Sequence, residues 1–184
     1  MKPQIYLVAP PDIEPAALSA ALERAAALPD VAVLLLLRGA RTDEAYERLA
    51  RAVAPVAQAR DIAVLVEGAP DLVAALGVDG LHVDGPVAAV RAAVAALRPD
   101  FIVGVGGIGS RHDAMQKGEL GIDYVLFGPL AGPLTAADRE LARWWSETME
   151  IPGVLSDPEA VSPAIEAVGC EFVALNLALL EPVA

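Results

Sequence analysis

The chain has 184 residues and a formal net charge of −12 at pH 7; hydrophobic residues make up 55% of it and aromatics only 4%. That length suits one domain, spanning 1–184, with an aliphatic core, and it is short for two. A negative field of this size repels nucleic acid and anionic lipid head groups, so neither is an expected partner.

Short apolar runs alternate with longer Ala-rich amphipathic ones. The first strand is expected over Ile5-Tyr6-Leu7-Val8, stopped by Pro10-Pro11. A helix follows from Pro15 to Leu28, with Asp12 near its start and Pro29-Asp30 at its end. The second strand is Val31 to Leu37, too short to span a bilayer and apolar enough to be buried on both faces. Its helix runs from Thr42 to about Arg60, with Thr42 as N-cap and Asp43 and Glu44 at the positive end of the dipole. The third strand is Ile62 to Val66, and a short helix begins near Pro70 and ends before Gly77. The fourth strand is Gly80 to Val83, with a helix from Pro86 to Leu97. The fifth is Phe101 to Val105, followed by a glycine cluster and a helix from Ser110 to Leu120. The sixth is Tyr124 to Phe127, with a helix over Ala136 to Thr148 carrying Trp144-Trp145, which read as core packing or an interface anchor. The seventh is Gly153 to Leu155 with a helix from Pro158 to Val168, and the eighth is Phe172 to Leu175.

Strict strand-then-helix order forces parallel strands joined by right-handed crossovers. Eight such units favour an α/β (β/α)₈ TIM barrel over an open doubly wound sheet. So does the repeated junction Gly77-Val78-Asp79, Gly121-Ile122-Asp123 and Gly169-Cys170-Glu171, in which glycine ends a helix and an acid opens the next strand. Too few residues follow the last strand for a full helix, so the last helix is expected to be short or missing. Leu177, Leu179 and Leu180 would then lie exposed, which argues for a homo-oligomer. The start of the chain lacks the apolar stretch of a signal peptide, and the single Cys170 permits no intramolecular disulfide. Both fit a cytoplasmic protein, with Cys170 an inert core thiol.

In a parallel barrel the chemistry gathers at the C-terminal ends of the strands. Arg38 directly follows four leucines and is expected to point into the mouth, where a cation can hold a phosphate; the alternative is a structural ion pair with Glu67 or Asp84. Glu67, His82 and Asp84 can form a cluster, with the carboxylates binding Mg²⁺ and Glu67 or His82 moving protons. Alternatively, His82 is a hydrogen-bonded core residue. Gly104, Gly106, Gly107 and Gly109 join a strand to a helix, so Gly106 and Gly107 either cradle a phosphate or make a tight turn. Gly128 sits at the corresponding place after the sixth strand.

The order of motifs resembles the thiamine phosphate synthase/TenI family of (β/α)₈ barrels. The matching residues are Ile5-Tyr6-Leu7-Val8, Leu37-Arg38, Pro70-Asp71-Leu72, Val78-Asp79-Gly80-Leu81-His82-Val83, Ile102-Val103-Gly104-Val105, and Gly121-Ile122-Asp123-Tyr124-Val125 ending in Phe127-Gly128-Pro129. The resemblance implies a transferase that joins hydroxymethylpyrimidine pyrophosphate to a thiazole phosphate with Mg²⁺. Several family positions differ. Leu36 and Ala40 flank Arg38 where the family has polar partners, and Glu67-Gly68-Ala69 replaces Asn-Asp-Arg. Asp84-Gly85-Pro86-Val87 replaces Gly-Gln-x-Asp, and Gly106 or Gly107 replaces a hydroxyl residue. The lysine expected between Leu130 and Thr135 is absent, and Ser156-Asp157-Pro158 puts an anion in the Gly-Gly-Ile phosphate cradle.

The expected function is therefore a divergent family member that binds a small phosphorylated heterocycle in thiamine metabolism, most family catalytic and Mg-binding motifs being eroded. Two alternatives stand beside it: a non-catalytic barrel acting as a regulatory or binding subunit, and a different enzyme using Glu67, His82 and Asp84.

Overall fold

The alternation of strands and helices forms as far as the seventh strand. The structure, a computed structural model, describes residues 2–25, 28 and 30–180. Strands β1 (Gln4–Ala9), β2 (Val31–Leu36), β3 (Ala63–Val66), β4 (Gly80–Val83), β5 (Ile102–Val105), β6 (Tyr124–Phe127), β7 (Gly153–Ser156) and β8 (Phe172–Asn176) pair in sequence order. All pairings are parallel, and β8 returns to β1 to close the barrel. Helices α1 (Pro15–Ala25), α2 (Asp43–Gln58), α3 (Asp71–Leu76), α4 (Val87–Leu97), α5 (Arg111–Gly118) and α6 (Ala136–Thr148) connect them. No helix among the described residues is long and apolar enough to cross a membrane.

The period-two alternation of the strands splits the apolar residues into two cores. Inside the barrel lie Tyr6, Val8, Leu35, Leu37, Leu65, Tyr124, Leu126, Val154 and Ala174. Their sequence neighbours, such as Leu7, Leu34, Leu36, Val64 and Val66, face the helices instead. Full burial of one such leucine contributes about 1.5–3 kcal/mol.

Local signals behave as their chemistry requires. Thr42 and Ser110 accept hydrogen bonds from the N–H of Ala45 and Asp113, and Thr135 forms a reciprocal capping box with Asp138. Gly77, Gly121 and Gly169 have φ of 68°, 83° and 96°; Gly77 is the left-handed cap of α3, Gly121 turns the chain three residues past α5, and Gly169 makes the same kind of turn with no helix before it. The acid two residues later reaches sideways to the preceding strand. Asp79 accepts from Val64 N at 2.7 Å, Asp123 from Val103 N at 2.8 Å, and Glu171 from Gly153 N at 2.7 Å. These bonds satisfy strand N–H groups at the N-terminal end of the barrel, opposite the mouth.

One expected element does not form. The helix expected over Pro158 to Val168 is replaced by turns and bends. Pro163 lacks an N–H and would clash with the carbonyl of the preceding turn, and both Asp157 and Ser162 precede a proline, which disfavours the helical region. The described part of α1 ends at Ala25, and its expected last residues fall partly outside the described residues. In line with a short or missing last helix, the chain makes a turn after β8 with no helix up to Leu180; the rest of the tail lies outside the described residues. Leu177 is buried and Leu180 half-buried, so of the three leucines taken as an argument for self-association only Leu179, 43% exposed, remains on the surface.

Candidate functional site

Alternation along each strand decides which rim residues face the axis. Leu65 is inside, so Glu67 is carried inside two residues later, and His82 likewise carries Asp84. The charges of both acids are felt by the buried Tyr6 at the barrel's centre. Leu37 is also inside, which turns Arg38 outward. The Arg38 guanidinium pairs with Asp43 on the first turn of α2, correcting the expectation that it enters the mouth or pairs with Glu67 or Asp84. Its backbone N–H does reach the mouth, donating to Glu67 Oε2 at 2.7 Å. The parity was hidden in the sequence because every residue from Leu34 to Leu37 is buried, whichever way it faces.

Glu67 and Asp84 directly follow adjacent strands, β3 and β4. Burial holds the Glu67 carboxyl above the usual carboxylate range; the Arg38 N–H opposes this and the charge of Asp84 adds to it. Burial also raises Asp84, against the lowering effect of the nearby Lys117 ammonium. Lys117 is itself buried, and it donates to Gly106 O at 3.3 Å and to Asp113 Oδ2 at 3.1 Å. Sequence reading missed it; the only signal was its position four residues after Asp113, on the same helix face.

The glycines after β5 have separate reasons. Gly106 lies so close to Asp84 and His82 that an added Cβ would stand 2.5 Å from Asp84 Oδ1 and 2.8 Å from His82 Nε2. Gly107 has φ of 60°, and its Cβ would meet the same carboxylate at 3.0 Å. Asp84 thus lies over the loop expected to cradle a phosphate, and a bare anion approaching there meets a negative charge. Gly128, with φ of 92°, lets β6 approach β7: a Cβ would be 2.6 Å from Ser156 O. The Ser156 hydroxyl donates to Pro129 O at 2.6 Å, and Asp157 accepts from Arg139 at 3.4 Å, so that acid is paired.

His82 is buried inside the barrel, with Nδ1 2.8 Å from Tyr124 Oη. Burial lowers its pKa to about 4, so the ring is neutral at pH 7 and its 3.9 Å approach to Asp84 is not an ion pair. Among the described residues no group of three or more His, Cys, Asp or Glu side chains could hold a metal ion. Mg²⁺, however, is usually held by one or two carboxylates, with water and substrate phosphates completing the shell. Glu67 and Asp84, inward-facing on neighbouring strands and reluctant to ionise without a counter-charge, fit that donor set.

Two concavities lie apart from Glu67 and Asp84, one at the opposite end of the barrel and one on the outer rim of the mouth. One of about 560 Å³ at the N-terminal end is lined by Lys2, Arg143, Ser146, Glu166 and Cys170, among others. Burial pushes the Cys170 thiol up to about 11, and the N-terminal face of a parallel barrel is its stability face. The other, about 550 Å³, lies between the loops after β1 and β2 near Arg41, whose guanidinium is taken up by the carbonyls of Leu37 and Ile13. Trp145 is buried against Phe127 and donates to Ile151 O at 2.8 Å, while Trp144 stacks under Arg111, 4.9 Å away.

The family profile described as thiamine monophosphate synthase matches residues 5–178. A thiamine-phosphate synthase of Rhodospirillum centenum is 38% identical over 179 residues, covering 94% of this chain and 86% of that one. One of Hyphomonas neptunium is 36% identical over 185 residues, covering 94% and 84%. Among solved structures, a thiamine phosphate pyrophosphorylase from Pyrococcus furiosus superposes with a TM-score of 0.73 at 18% identity, covering 95% of this chain and 86% of that one.

Proposed function

The chain belongs to the thiamine monophosphate synthase family, and from that premise we propose that it binds a small phosphorylated heterocycle of thiamine metabolism at the C-terminal mouth of its barrel. The observation that carries this reading is the pair of inward carboxylates, Glu67 and Asp84, directly after adjacent strands, with Asp84 against the Gly106-Gly107 loop. Mg²⁺ held by those two acids would neutralise them and attract the ligand's phosphate oxygens. Gly107 leaves room for the Asp84 carboxylate beside the loop, and the buried Lys117 fixes the loop through the Gly106 carbonyl.

We read the chain as a divergent member. Glu67 and Asp84 take up acidic roles at positions where the family pattern has asparagine and glycine, and the β7 rim offers Asp157 in place of a phosphate cradle. A phosphorylated ligand and an unreactive lone thiol fit a cytoplasmic setting.

Calorimetry with thiamine phosphate, hydroxymethylpyrimidine pyrophosphate and thiazole phosphate, each with and without Mg²⁺, tests the reading. At least one should bind, more tightly with Mg²⁺, and Glu67→Gln should weaken that binding about tenfold or more. No heat and no thermal shift at millimolar ligand would overturn the proposal. Incubating the two precursors together separates the alternatives, since binding without product marks a non-catalytic barrel and product marks a retained synthase.

A further inference from the structure

The interior of the barrel holds a polar chain that the proposed binding does not require. Tyr6 Oη lies 2.8 Å from Tyr124 Oη, which lies 2.8 Å from His82 Nδ1. All three side chains are buried. The layer exists because Gly104 stands between His82 and Tyr124 on the central strand, where any Cβ would run into the Tyr124 ring. The imidazole and phenol stack across it, 5.9 Å apart at 16°. At the upper end His82 Nε2 has no hydrogen-bond partner among the described residues and faces Asp84 Oδ1 at 3.9 Å.

Hydrogens can run along this chain in two directions. In one, His82 Nδ1–H donates to Tyr124 and Tyr124 to Tyr6. The Tyr6 proton then has no acceptor among the described residues, and a lone pair on Nε2 faces a carboxylate. In the other, Tyr6 donates to Tyr124 and Tyr124 to Nδ1. The proton sits on Nε2 and faces the carboxylate with the favourable sign. Each direction leaves one buried donor without a hydrogen bond, Tyr6 O–H in the first and His82 Nε2–H in the second, but only in the second does that donor face a carboxylate, so the electrostatics favour the proton on Nε2.

We propose that Tyr6 and Tyr124 are positioning residues that hold His82 as its Nε2–H tautomer, so that the free N–H orients the Asp84 carboxylate at the mouth. The consequence for ligand binding rests on the reading given above; the tautomer does not.

The chain has two histidines, and His112 is exposed, so a ¹⁵N-histidine spectrum of the whole protein at pH 7 is assigned by one His112→Gln variant. The expected His82 signals are a protonated Nε2 and an unprotonated Nδ1, with Tyr124→Phe populating both tautomers. A protonated Nδ1 in the parent protein, or an unchanged tautomer in Tyr124→Phe, would overturn the proposal. Should Tyr124→Phe fail to fold, the parent spectrum decides alone. Binding of inorganic pyrophosphate with Mg²⁺ should weaken several-fold in Tyr124→Phe. A shifted tautomer with unchanged binding would uphold the relay and instead count against Asp84 as a ligand-binding group.

Discussion

Replacing Gly104 with alanine probes the barrel interior at its most constrained point. Gly104 pairs with His82 on one side and Tyr124 on the other, and a Cβ there would coincide with the Tyr124 ring. The backbone is fixed by parallel strands on both sides, so the ring must move. Moving it breaks two buried hydrogen bonds, to Tyr6 and to His82. Each is worth about 1 kcal/mol net, and more if the partners are left unsatisfied. Overpacking of the remaining core adds about 1–3 kcal/mol. The expected loss is therefore about 3–6 kcal/mol, a large share of the roughly 5–15 kcal/mol that holds a domain together. Urea denaturation followed by tryptophan fluorescence measures it. Gly109→Ala is the control: its Cβ meets nothing within 4 Å, and the change should stay within about 0.5 kcal/mol. If Gly104→Ala costs less than about 1 kcal/mol, the Tyr124 ring does not lie where this reasoning requires.

Glu67 is raised in the folded state, so the native chain binds its proton more tightly than the unfolded chain, and stability falls as pH rises from about 4.3, the ordinary glutamate value. Glu67→Gln should flatten that decline and raise the melting temperature at pH 7; a steeper decline would contradict the burial argument. Asp79→Ala removes the acceptor for Val64 N and the Gln58 amide and should cost about 1–3 kcal/mol in chemical denaturation, while Asp79→Asn costs less. Cys170, with its thiol pushed up to about 11, should react with a thiol reagent only after denaturant is added, and rapid labelling of the native protein would contradict its burial.

The strand order, the helix caps and the Gly-x-acid junctions were readable because each depends on a few neighbouring residues. Thr42, Ser110 and Gly77 do locally what their side chains or lack of one demand. The failures have a different character. Arg38 was misdirected because an all-buried run carries no trace of which face is inner, and only Leu37's place in the barrel interior resolves it. The segment from Pro158 to Val168 has a helical apolar pattern, but Pro163 overrides it. Tyr6 and Tyr124 are 118 positions apart, and nothing in either segment announces that closure of the barrel joins them through one hydrogen bond. Glu67 and Asp84 were legible as acids after consecutive strands; that both face inward follows from the parity of Leu65 and His82.

A crystal structure with Mg²⁺ and thiamine phosphate tests the central claim most directly. Density for the cation is expected between Glu67 and Asp84, with the phosphate beside it above Gly107. Ligand density at the N-terminal concavity near Cys170, with the two carboxylates uninvolved, would contradict it.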